Sequence, residues 1–455
     1  MHNRRTPTRS TLRARRSLAL CACALTIAAC SSVQPYLDSP LTEAPEDTAD
    51  LIRAAIAGGR DSQMLVMLSF SGGGTRAAAL AYGVMKELSE TSIMTSAGRR
   101  SLLDEVDVIS SVSGGSFTSA YYGLFGDRIF DDFEERFLRR DLQGDLKKGL
   151  MKWHKLSSRD FGRSDMAAEL YDAEIFEQKT FADFRRAGAP GIIINATDVA
   201  NGKRLSFNRL QFDLLCIDLM AYPVARAVAA SSAVPIAATP ITLQNFSGQC
   251  DFEPPEFLAN PPLSYFSTPR RAEIEGQRRY MDRERTPWIH LVDGGITDNL
   301  GLRAYYTLFN LEQEPDKFLR GLGHGNVKQL LIISVNAHHQ SPQPEWSRER
   351  HPPRALQVAN RLVDIQMDQY TADSVELVRN AYQRLADSVA TEDAPVSLHF
   401  VEVNFNAVAN KGKRDKLNAI ETSFSLEDEE IDLLIDTGRH VLRNSPQYRA
   451  FLGSN

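Results

Sequence analysis

The sequence predicts an α/β fold with a mostly parallel central sheet flanked by helices in three layers. Short continuous apolar runs, 64–70 (MLVMLSF), 191–197 (GIIINAT) and 329–335 (QLLIISV), read as strands buried on both faces. Segments rich in helix formers separate them, as in a sheet wound through helices. Several runs end abruptly in glycine or serine turns, where ligands of open α/β sheets collect.

In chain order, the strand at 64–70 enters Ser71-Gly72-Gly73-Gly74-Thr75-Arg76, and 77–88 continues as a helix. A second strand, 106–109, meets Ser110-Ser111-Val112-Ser113-Gly114-Gly115-Ser116 and then a helical FTSAYYGLF. Residues 127–190 are mostly charged and helical, and the third strand follows at 191–197. A small-residue helix at 224–234 stops at Pro235, since proline cannot continue a helix. Residues 245–287 are Pro-rich, polar and irregular, and read as a surface insertion. Further strands lie at 289–292, 329–335 and 396–403, with a long helix over 355–390 and a last helix from about 426. At 455 residues and 43% apolar content the chain can fill one large domain or two ordinary ones, and a second is not required. The expected division is a leader at 1–29, a tether at 30–61, a main domain at 62–310 and an α/β extension at 311–455 packed on it.

The start of the chain reads as a targeting segment. Residues 1–29 hold six arginines and no acidic residue, and 17–29 (SLALCACALTIAA) is apolar but shorter than the roughly 20 residues that span a bilayer. Ile27-Ala28-Ala29-Cys30 resembles a bacterial lipobox, which implies lipidation of Cys30 and a lipid-anchored envelope protein, expected on the outer membrane facing the periplasm. An ordinary cleaved secretory peptide, with Cys30 incidental, is the alternative. Without residues 1–29 there remain 46 basic against 58 acidic residues, a net charge of −12. An acidic body argues against nucleic acid as a partner and against membrane attachment by charge alone. Cys216 and Cys250 are the cysteines of the body; in an oxidising compartment they pair, otherwise they are buried thiols. No Cys/His cluster points to a metal.

Three strand-to-turn junctions carry the chemistry. Gly72-Gly73-Gly74 before a helix can turn its amides on a negative oxygen, and neither a Walker lysine nor GxGxxG spacing accompanies it. Ser111-Val112-Ser113-Gly114-Gly115 is a variant of the G-x-S-x-G elbow, with serine where the first glycine usually stands. Small residues two before and two after the nucleophile favour Ser113 over Ser111 or Ser116. Asp293-Gly294-Gly295-Ile296-Thr297-Asp298-Asn299 places a carboxylate at the end of a buried strand. Each junction alone reads equally as a plain turn.

Together and in this order the three resemble the patatin-like phospholipase family over roughly residues 62–305. Thr180-Phe181-Ala182-Asp183-Phe184, the strand ending at Asp198 and the Ala-Ser-Ser-Ala-Val-Pro run at 230–235 are also similar to that family. The resemblance implies a three-layer patatin-like fold and a Ser113–Asp293 dyad, in which the Asp293 carboxylate takes the Ser113 proton directly. The Gly72–Gly74 amides, with Arg76 beside them, would form the oxyanion hole. Arg76 would hold the loop through a carboxylate or bind an anionic head group. The dyad needs no metal or cofactor, and none of His154, His290, His324, His338, His339, His351 and His399 is expected to be essential. The expected substrates are fatty-acyl esters of phospholipids or lysophospholipids. A general carboxylesterase or thioesterase, and a non-catalytic envelope lipoprotein of the same fold, are the other readings. Apolar residues of 116–125 and the insertion at 245–287 are candidates for a lipid-facing mouth.

Overall fold

The computed structural model describes residues 36–42, 60–149, 161–235, 237–261, 268–311, 315–338 and 344–454. The leader and Cys30 lie outside the described residues, as do His154 and His339.

The described residues form ten strands: β1 (Met64–Phe70), β2 (Ser92–Thr95), β3 (Gly98–Ser101), β4 (Val106–Val112), β5 (Gly191–Asp198), β6 (Lys203–Phe207), β7 (Ile241–Gln244), β8 (Trp288–Asp293), β9 (Gln329–Asn336) and β10 (Ser397–Asn404). The helices used below are α1 (Gly74–Glu90), α2 (Gly114–Phe125), α3 (Val224–Ser231), α4 (Gly295–Asp298), α5 (Leu302–Leu311), α6 (Ala355–Val389) and α7 (Asp428–Asn444). The main sheet runs β10-β9-β1-β4-β5-β8-β7, with β6 also on β5, while β2 and β3 form a separate hairpin. Strands β10, β9, β1, β4 and β5 are mutually parallel. Strands β6 and β8 lie antiparallel to β5, and β7 antiparallel to β8.

The continuous apolar runs are explained by two cores, one on each face. Along β1, Val66, Leu68 and Phe70 join a core with Leu80 and Val84 of α1, Phe117 of α2 and Leu434 of α7. The alternate residues, Leu65 and Met67, join Tyr305 of α5 and Val378, Tyr382 and Leu385 of α6. Successive side chains of a strand point to opposite faces, so a strand covered on both sides must be apolar throughout. The layers are therefore helix, sheet, helix. Helices α1 and α7 meet backbone to backbone, because a Cβ on Gly83 would strike the Ile435 carbonyl.

Residues 311–455 build part of the sheet: β9 pairs with β1 along its whole length, and β10 continues beyond it. Three other expectations are corrected. The stretch 245–287 is not irregular throughout its described residues. It contains helices Glu256–Ala259 and Thr268–Arg278, and its Leu258 and Ile274 form a small apolar cluster with Leu214. Its turns are fastened by the Asn245 side chain, which donates to the Tyr280 and Thr286 carbonyls at 2.9 and 2.8 Å. The segment read as a tether is docked at 36–42. The Leu41 amide donates to the Cys216 carbonyl, the Asp218 amide to the Ser39 carbonyl (both 2.8 Å), and the Gln244 amide to the Asp38 carboxylate (2.6 Å). Such docking uses main-chain groups and leaves no apolar periodicity in the sequence. The apolar residues of 116–125 do not face outward, since Phe117, Ala120, Tyr121 and Leu124 are all buried in the core. Cys216 and Cys250 are joined by a disulfide, with Cα atoms 5.7 Å apart. Among the described residues no helix is long and apolar enough to cross a membrane.

Candidate active site

Strand β4 is buried throughout and ends at Val112, so the next residue is delivered to the sheet edge. Ser113 turns the chain into α2 with φ 50° and ψ −120°, a conformation that costs a side-chain-bearing residue about 1–3 kcal/mol. Two glycines make the turn possible. A Cβ on Gly114 would collide with the Gly74 carbonyl, and one on Gly115 would stand 2.7 Å from the Ser71 carbonyl oxygen. Serine is tolerated at 111 because its hydroxyl is satisfied locally, 2.6 Å from that of Ser119.

The small-residue run after α3 holds both halves of the site. The Ser113 amide donates to the Ser231 hydroxyl at 2.8 Å, and that hydroxyl donates to the Asn195 carbonyl at 2.6 Å. The Asp293 amide donates to the Ala233 carbonyl (2.9 Å) and the Gly294 amide to the Ser231 carbonyl (3.1 Å).

Asp293 stands at the end of a buried strand, as the sequence predicts, but that strand is not one of the parallel ones. It comes on β8, which runs back against β5 and pairs Asp293 with Ala196. Because Val112 pairs with Asn195, the following position, Ser113, is level with Asp293 across β5. Register therefore brings together two residues that are 180 apart in sequence. Burial raises the Asp293 carboxyl to about 6, against the opposing pull of the Gly295 amide and the Ser113 hydroxyl. The Gly295 amide donates to Asp293 Oδ1 at 2.8 Å. Ser113 and Asp293 are both buried, 4% and 8% exposed.

The glycine loop faces this pair, with modifications. The Gly72 amide donates to the Asn299 carbonyl at 3.0 Å and is not available to a ligand. Gly73 and Gly74, at φ 137° and 60°, open α1. Among the described residues their amides, and that of Gly114 at the start of α2, have no main-chain partner, which is the ordinary state of the first amides of a helix. Among the described residues Arg76 meets no carboxylate, and it faces no solvent. It is 1% exposed and donates to the Ile420 carbonyl at 2.5 Å and to the Thr422 hydroxyl at 3.0 Å. Burial lowers it to about 10. Next to it the Thr75 amide donates to the Ser423 carbonyl at 2.8 Å, so the segment 420–423 clamps the loop from behind. No sequence signal announced that clamp.

The histidines are spread over the molecule. His290 is exposed on β8, facing away from Asp293 as strand alternation requires. His324 is buried 3.3 Å from Asp107, at the opposite end of the sheet. His338 is bonded to Asp368 at 2.5 Å. His351 is exposed, and His399 is buried on β10, where desolvation lowers its pKa. Asp368 also lines a cavity of about 940 Å³ beyond the ends of β9 and β10, which includes neither Ser113 nor Asp293. Ser231, Gly114 and Asn299 were not singled out from the sequence. Only Gly114 had a usable signal there, because the amide after a nucleophile commonly completes an oxyanion hole.

The patatin-like phospholipase family model matches residues 68–306, from β1 through the dyad turn. The chain belongs to this family. Membership supports a lipid acyl hydrolase. No curated protein matches the chain by sequence. Among solved structures, the human GIVD cytosolic phospholipase A2 is similar at 12% identity and a TM-score of 0.45, covering 90% of this chain and 66% of that one. The same human enzyme in complex with methyl gamma-linolenyl fluorophosphonate gives 13% identity and a TM-score of 0.43, with 90% and 62% covered. VipD from Legionella pneumophila gives 12% and 0.29, with 90% and 72% covered. The chain thus spans just under two-thirds of the first of these proteins.

Proposed function

We propose that this protein is a serine acyl hydrolase that cleaves fatty-acyl esters of phospholipids or lysophospholipids by a Ser113–Asp293 dyad. The observation that carries the reading is the register that sets a serine on a strained turn level with a buried aspartate, whose carboxyl burial raises to about 6. A serine hydroxyl needs a base within hydrogen-bond reach. A carboxylate with an ordinary pKa is a weak base, and desolvation makes this one stronger. Asp293 accepts the Ser113 proton as Oγ attacks the ester carbonyl, and returns it to the leaving alcohol. The amides of Gly73, Gly74 and Gly114 stabilise the oxyanion; losing one such donor typically costs about 10²–10³ in rate. Water then releases the fatty acid from the acyl-enzyme.

Family membership and the buried dyad support a lipid ester over a soluble one. The lipobox at Cys30 supports an envelope protein whose acyl chains hold it beside its substrate. The Cys216–Cys250 disulfide supports an oxidising compartment. Incubation with a phospholipid and lysophospholipid panel, read by mass spectrometry, tests the reading. Release of free fatty acid that depends on Ser113 is expected. Turnover of short soluble esters alone would replace it by the carboxylesterase reading. Absence of a Ser113 adduct with a fluorophosphonate would leave the fold as a scaffold.

A further inference from the structure

Asn299 lies six residues beyond Asp293, directly after α4, and is 2% exposed. Its carbonyl accepts the Gly72 amide at 3.0 Å, tying the dyad turn to the glycine loop. Its side chain, like Thr75 Oγ1 and Asp298 Oδ1 nearby, is buried without a partner among the described residues. Neither Oδ1 nor Nδ2 has a hydrogen-bond partner among the described residues. By contrast the Ser110 hydroxyl donates to the Gly301 carbonyl at 2.7 Å, and the Asn195 amide donates to Ser110 Oγ at 2.9 Å. Leaving a buried amide unpaired is unfavourable, and an apolar residue at 299 would avoid it.

The position of the amide suggests what it serves. A Cβ on Gly72 would stand 2.7 Å from Asn299 Oδ1 and 3.3 Å from Ser113 Cβ. A Cβ on Gly295 would stand 3.0 Å from Asn299 Oδ1 and 3.1 Å from Asp293 Oδ1. The amide is thus wedged between two glycines, with the serine behind one and the aspartate behind the other. An oxyanion would use only its donor. A water molecule uses a donor and an acceptor together, and buried waters are held by two to four polar partners.

We propose that Asn299 is a further catalytic residue, whose side-chain amide seats the water that attacks the acyl-enzyme. This rests on the Ser113–Asp293 reading. In the step it serves, the water oxygen bonds to the acyl carbon while one water proton passes to the Asp293 carboxylate. The tetrahedral intermediate then expels Ser113 Oγ, which takes that proton back, leaving the fatty acid and the free serine. Asn299 accepts from one O–H of the water or donates to its oxygen, so the remaining lone pair is aimed at the carbon.

The test separates steps that need this water from steps that do not. Phosphonylation of Ser113 by a fluorophosphonate uses the nucleophile and base only; ester turnover also needs the water. For Asn299→Ala the phosphonylation rate is expected within about threefold of the parent, while turnover of a chromogenic ester falls about 10²-fold, the scale of a misplaced reacting group. Intact-mass measurement during turnover then shows an acyl adduct on Ser113. Asn299→Ser, which keeps one donor and one acceptor, recovers part of the turnover and gives the same comparison if the alanine variant does not fold. Phosphonylation falling in step with turnover, or unchanged turnover, overturns the assignment. Failure of the parent protein to label at Ser113 would instead overturn the dyad on which it rests.

Discussion

The two turns of the proposed dyad store their cost in different currencies. At Ser113 the backbone is forced to φ 50°, while its neighbours are neutral and hydrogen-bonded to one another. At Asp293 the residue ends an ordinary β-strand, and the cost is a carboxylate removed from water and raised to about 6. One half is conformational and insensitive to pH. The other is electrostatic and titrates. A nucleophile has to be presented and a base has to be made basic, so each half bears the kind of strain its task requires.

The contrast predicts how each half responds to change. The largest effect is on rate. Ser113→Ala and Asp293→Asn should each lower ester turnover by about 10³-fold or more, as losing either member of a nucleophile–base unit does. In the parent protein kcat/KM should fall about tenfold per pH unit below about pH 6, because protonated Asp293 cannot take the serine proton. A flat profile from pH 4 to 8 would remove Asp293 as the base.

The second effect is on stability. The folded carboxyl titrates near 6 and an unfolded one near 3.9, so the folded state binds the extra proton between those values. This group therefore favours folding at low pH, and that contribution is lost as pH rises through about 6. A shift of about two units corresponds to about 3 kcal/mol. Asp293→Asn should thus be more stable than the parent at pH 8, by up to about 3 kcal/mol in urea unfolding, with the difference shrinking toward pH 4. A destabilised Asp293→Asn at pH 8 would mean the carboxylate is not strained by burial.

The smallest effect belongs to the backbone. Ser113→Gly should stabilise by about 1 kcal/mol, the relief of an unfavourable φ less the added freedom of glycine in the unfolded chain. Ser113→Ala keeps the same φ and should leave stability nearly unchanged. Only the Asp293 effect should vary with pH; if the Ser113→Gly gain varied equally, the two costs would not be separate.

Much of this arrangement was legible before the structure. The runs at 64–70, 191–197 and 329–335 became β1, β5 and β9 almost residue for residue, because a strand covered on both faces has to be apolar at every position. Short or half-exposed strands escaped notice: β2, β3, β6 and β7 have too few apolar residues to stand out. Sequence proximity pointed to each catalytic turn but could not show that β8 runs antiparallel, since direction is set by register with β5 and not by composition. Arg76 was visible as a charge beside the loop. Its partners, a carbonyl and a hydroxyl more than 340 residues away, belong to no pattern. The docking of 36–42 escaped for the same reason, being made largely of main-chain groups.

The clamp at 420–423 bears on where this protein can be cut. The segment that carries the family match ends at 306, yet β1 is paired on one side by β9 and its turn is braced by residues more than a hundred positions later. A fragment stopping near 306 would retain Ser113 and Asp293 and still bare β1, seven apolar and small residues buried in the intact chain, as an open sheet edge. Such an edge invites pairing with other copies. The border of recognisable ancestry and the border of the cooperative unit are different places in this polypeptide.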